Sequence, residues 1–141
     1  MSWIAADDRS YAMAEVNAFL VAWLSSLTCP VLNRPTATSL CGPGWSQTHW
    51  RIAAARARVR WCNSDQPDGS TEVVFCRGLH HGMVTELGRQ AGVRLAQEAR
   101  VDLLGVRFAG DGVAAVTLQP GLAEPGAREL VLAQLCSEVS V

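Results

Sequence analysis

The densest set of reactive side chains in this chain is Cys76-Arg77-Gly78-Leu79-His80-His81-Gly82. A thiol beside an imidazole makes a nucleophile and its base, with Cys76 attacking and His80 or His81 taking the proton. Arg77 would hold a carboxylate or phosphate of the substrate through its planar fork. Cys76, His80 and His81 are also transition-metal donors, with a fourth ligand to come from His49, Asp65 or another chain. Against both readings, a cysteine at a strand end is commonly a small buried hydrophobe.

A second group lies earlier. Cys41 follows Ser39-Leu40 in a loop containing Gly42-Pro43-Gly44 and is a second candidate nucleophile. The glycines could face an anion, but the string lacks the Lys-Ser/Thr of a phosphate loop. Trp45, His49 and Trp50 cluster at the start of a helix and would line a pocket or a subunit contact. With Arg34 and Arg77 they form the substrate-binding set; the catalytic set is Cys76, His80, His81 and Cys41. No C-x-x-C pair is present, and neither a metal nor another cofactor is expected.

These groups must be positioned by recognisable elements. Val16, Phe19, Leu20, Trp23, Leu24 and Leu27 recur every three or four residues, predicting a helix over 11–27 with Trp23 in a core stripe. Ser10 or Asp8 would cap it, and Cys29-Pro30 would end it. Val31-Leu32 reads as a short buried strand. A helix from a Ser46 cap to about Arg58 packs through Trp50, Ala53, Ala54 and Ala57. Polar residues 63–70 mark an internal boundary.

Val73-Val74-Phe75 predicts a strand over 71–76 buried on both faces. Helical spacing runs through 83–99. Leu103 to Phe108, Asp111-Gly112 and Val113 to Leu118 read as a hairpin. A terminal helix covers 127–139. Cys29 and Cys136 sit within apolar patterns and read as core. The expected fold is one compact mixed α/β domain, a front half of helix, short strand, loop and helix with a β-hairpin and a C-terminal helix behind.

Two stretches are similar to the ATP-grasp ligases. Residues 11–60, with Pro30-Val31-Leu32-Asn33-Arg34-Pro35 after the helix, resemble the pre-ATP-grasp domain. Residues 93–122 resemble a remnant of the C-terminal ATP-grasp part through Leu103-Leu104-Gly105-Val106-Arg107-Phe108. The resemblance implies that Arg34 lies near the substrate side. It also implies a metal-binding Glu-x-Asn motif where this chain has Thr117-Leu118-Gln119-Pro120, and an acid where it has Arg107. A leucine or glutamine supplies no charge to hold magnesium against phosphates. The chain contains no lysine for those phosphates, and only about 30 residues separate the two stretches.

Composition narrows the classes further. Hydrophobic residues make up 49% of 141 positions with a net charge of -1, ample for a core and unlike a disordered chain. That balance gives no long-range pull on nucleic acid, and arginines 51, 56, 58 and 60 read as a solvated helix face. No secretory signal or membrane span is expected, and five widely spaced cysteines do not form a disulfide framework. The expectation is cytoplasmic, with a residue usage typical of high-GC bacteria. A reduced domain should leave apolar faces open, so a homodimer is expected. The leading functional expectation is a non-ligase, ATP-grasp-like protein that binds a small molecule or peptide of a biosynthetic or peptide-modification pathway. The alternative is a small metal-independent Cys/His enzyme for acyl transfer, cyclisation or isomerisation.

Overall fold

Apolar runs and tight turns build the centre of this computed structural model, which describes residues 6–37, 39–63 and 71–137. In chain order the elements are α1 (Ala6–Ser26), α2 (Gln47–Arg56), β1 (Glu72–Cys76), β2 (Leu79–His81), α3 (Glu86–Ala99), β3 (Leu103–Ala109), β4 (Gly112–Thr117) and α4 (Pro125–Cys136). The four strands form one antiparallel sheet in the order β2-β1-β3-β4. With four helices among the described residues, the chain is a single compact mixed α/β domain.

The first hairpin was not foreseen. Arg77 and Gly78 both take positive φ, at 47° and 85°, the left-handed pair that a two-residue turn needs to match strand twist. The Cys76–His81 segment is therefore two paired strands and not an open loop. The second hairpin turns at Gly110, φ 57°, and carries a bulge at Arg107/Phe108.

Alternation along β1 places a helix on each face of the sheet. Val73 and Phe75 point towards α3, where the Phe75 ring lies so close to Gly92 that a β-carbon there would stand 2.2 Å from it. Val74 and Cys76 point the other way, towards α4, whose buried residues are Ala127 and Val131. The core on the α3 side includes Trp50, Ala54, Val73, Phe75, Leu95, Leu104, Val106 and Val113. Thr85 caps α3 by accepting from Gly88 N at 3.1 Å, and Ser46 caps α2 as its sequence indicated.

Three expectations are corrected. Val31 and Leu32 form no strand; instead Asn33, buried and at φ 50°, fixes this segment to β3 through its side-chain amide. Helix α1 begins at Ala6, so Asp8 and Ser10 lie inside it, and Trp23 is 51% exposed rather than in a core stripe. Cys29 and Cys136 are exposed, since each follows or ends a helix whose apolar side does not close over it. Residues 64–70, most of the expected boundary, lie outside the described residues.

Candidate functional site

Residues 39–50 and 116–119 meet at one cavity. The loop after Asn33 is folded back by a short Thr36–Ser39 bridge, and Thr36 Oγ1 donates to the Gly42 carbonyl at 3.0 Å. Gly42, at φ 103°, sits where a β-carbon would lie 3.4 Å from Asn33 and 3.5 Å from Leu118, so the loop presses onto the end of β4. The resulting cavity, about 270 Å³, is lined by Cys41, Trp45, Trp50, Thr117 and Gln119 among others.

Its polar and aromatic walls are fixed by contacts of their own. Gln119 Nε2 donates to Cys41 Sγ at 3.0 Å, and Gln119 N donates to Thr117 Oγ1 at 3.1 Å. Trp45 and Trp50 meet edge to face, centroids 4.9 Å apart at 66°, the geometry favoured by the ring quadrupole. On the far side of this pair a second cavity of about 260 Å³ is lined by Trp45, Gln47, Trp50, Trp61, Ala115 and Val116. Trp61 bridges the outer edge of β4 at Val113, and its buried indole N–H has no hydrogen-bond partner among the described residues.

The Cys76–His81 segment is dispersed by its own strand geometry. His80 and His81 are consecutive residues of β2, so their rings leave on opposite faces. His80 stacks on Phe75 with centroids 5.9 Å apart, and His81 pairs with Glu124 at 2.9 Å. Gly126 packs against the His81 ring. Cys76 is fully buried, and burial raises its thiol pKa, opposed by nearby Arg77 and reinforced by Asp102. A thiol in that setting is inert. Among the described residues no group of three or more His, Cys, Asp or Glu side chains is placed to hold a metal ion. Asp65 lies outside the described residues.

The remaining candidates are scattered. Arg77 contacts Asp102 at 3.5 Å and the Gln134 carbonyl at 3.4 Å, and lines a cleft of about 400 Å³ with Arg100. His49 Nδ1 lies 2.9 Å from Ser46 Oγ at the start of α2. Arg34 is exposed and outside the Trp45–Trp50 cavity. Sequence reasoning thus foresaw Cys41, Trp45 and Trp50 but not Gln119, Thr117 or Trp61 beside them. Gln119 and Thr117 were noted only as replacements for carboxylates.

On the α4 side of the sheet, Arg107 and Thr117 share a smaller cavity of about 200 Å³ with Glu72. Glu72 Oε1 accepts from Gly121 N at 2.8 Å, which anchors the β4–α4 connection. Among the described residues no helix is long and apolar enough to cross a membrane. Comparison with protein-family models, with curated proteins and with solved structures returned no match to this chain.

Proposed function

We propose that this chain is a non-ligase, ATP-grasp-like binding protein that seats an apolar side chain of a small molecule or peptide between Cys41, Trp45, Trp50 and Gln119. The carrying observation is the cavity of about 270 Å³ at which residues 39–50 and 116–119 converge. Its size falls just below that of sites for whole drug-sized ligands, about 300–1,000 Å³, and suits one side chain or a similar fragment. Aromatic walls supply apolar area, and the Gln119 amide and Ser39 hydroxyl supply orientation. A role in biosynthesis or peptide modification fits such a ligand.

The test is heteronuclear NMR of the full chain titrated with a panel of N-acetylated amino-acid amides. Saturable shifts of the Trp45 and Trp50 indole signals, lost in Trp45→Ala, are expected. Absence of saturable shifts across the panel overturns the reading.

The Gln119–Cys41 contact favours one second reading, a metal-independent enzyme whose thiol is Cys41 and not Cys76. It requires substrate turnover that Cys41→Ser abolishes and Cys76→Ala retains. Turnover that survives Cys41→Ser removes it.

A further inference from the structure

Strand β4 leaves most of its outer edge without a partner. It is the last strand of the sheet, bonded to β3 on one side. On the other side the backbone of residues 60–62 reaches only Val113. There Val113 N donates to the Arg60 carbonyl at 2.8 Å, and Cys62 N donates to the Val113 carbonyl at 2.7 Å. Past that parallel bridge, no described backbone group outside the sheet bonds to residues 114–117. An uncovered edge is a template for another extended chain, and folds blunt it with brevity, charge or proline. The opposite edge, β2, is three residues long. Residues 113–117 read Val-Ala-Ala-Val-Thr, with neither a charge nor a proline.

The two cavities around the Trp45–Trp50 pair lie along this same stretch. Val116 lines both, Ala115 lines the one beside Trp61, and Thr117 lines the one beside Cys41. Side chains of an extended chain return to one face every second residue, about 7 Å apart. We propose that the ligand is an extended peptide that adds to the outer edge of β4 at residues 114–117, continuing the strip that residues 60–62 begin. Its main chain bonds to the free groups of the edge, and two of its side chains, two residues apart, enter the two cavities. At about 260 and 270 Å³ the cavities are nearly equal, so they accept apolar side chains of similar size. Only a main chain offers donors and acceptors at the repeat of a strand, which a compact small molecule lacks. The inference rests on the side-chain seat proposed above and names the class of ligand that fills it.

NMR titration of the full chain with blocked tripeptides tests the added strand. The probes are acetyl-X-Ala-X-amides, with X leucine, phenylalanine or methionine, each set against the matching acetyl-X-amide. The best tripeptide should bind at least about tenfold tighter than its single residue, through the second seat and the new main-chain bonds. It should slow hydrogen exchange at those amides of residues 114–117 that β3 leaves free, and lose its gain when its own backbone nitrogens are methylated. A tripeptide no tighter than the single residue, or indifferent to methylation, overturns the added strand and leaves the side-chain seat standing. Absence of saturable shifts with every probe overturns both. Slow exchange at those amides in the free chain means that a second copy or the chain itself already fills the edge, and overturns the proposal.

Discussion

Asn33 stands in for a strand partner at Leu103. Its Nδ2 donates to the Leu103 carbonyl at 2.6 Å, and its Oδ1 accepts from the amides of Asp102 and Leu103, each at 2.9 Å. One side chain thereby does for the start of β3 what a short strand at residues 31–32 was expected to do. The left-handed backbone of Asn33 aims the amide, and asparagine tolerates that conformation better than most residues. The same residue holds the loop that forms the Trp45–Trp50 cavity.

Asn33→Ala should therefore be costly. It leaves two backbone amides and a carbonyl without their partner, an expected loss of about 2–4 kcal/mol from unsatisfied groups. Urea unfolding measures the loss, and hydrogen exchange should quicken at the amides of residues 102 and 103. An unchanged midpoint would show that water replaces the side chain at no cost.

Gly92→Ala is expected to destabilise although alanine is the better helix former by about 1 kcal/mol. The added methyl would lie 2.2–2.5 Å from ring carbons of Phe75, and overpacking costs about 1–3 kcal/mol. Phe75→Leu in the same chain should recover part of that loss. A double-mutant cycle reads the coupling, and additive effects would refute the contact.

Glu86 should titrate far below the ordinary carboxylate range. Hydrogen bonds from Arg89 and then Gln90 hold its carboxyl down to about 2, and Arg89 grips it at 2.6 Å and 2.8 Å. A depressed carboxylate favours folding above the unfolded pKa of about 4.3 and loses that contribution as pH falls through the folded value. The window is therefore between about 4.3 and 2. Carboxyl-carbon NMR should place the midpoint near 2, and Arg89→Ala should return it to the usual range. The pair is solvent-exposed, so the titration and not the stability is the sensitive readout.

The five thiols should react in an order set by burial. Cys29 and Cys136 are exposed, Cys41 and Cys62 are half-buried, and Cys76 is buried with a raised pKa. Iodoacetamide followed by peptide mapping should label Cys76 last, and only on unfolding. Because its folded pKa is raised, the stability tied to its neutral form is full below the ordinary thiol value of 9.0 and is lost as pH rises through the folded value. Early labelling of Cys76 would contradict its burial.

Much of the sheet was legible before the structure. Val73-Val74-Phe75 and Leu103-Leu104 are continuous apolar runs, and Asp111-Gly112 marks a reversal between two such runs. Strand β2 was not, because three residues containing two histidines give no alternation to count. The available signal was the dipeptide Arg77-Gly78 between Cys76 and Leu79, which has a glycine where a hairpin turn needs one. The α1 stripe exposes a different limit. Periodicity shows that Phe19 and Trp23 share a side of the helix, but it does not reveal what covers that side. For the site, Trp45 and Trp50 stood out by type, whereas Gln119 acquires meaning only when the fold returns it to Cys41 across a sequence separation of 78.

The Asn33 clamp also orders events in time. Both hairpins close across two-residue turns, so most of the sheet assembles from near neighbours in sequence, whereas Asn33 must find Leu103 across 70 residues. Long closures lag behind local ones. The segment that Asn33 holds is therefore expected to dock after the two hairpins have closed, and the Trp45–Trp50 cavity with it.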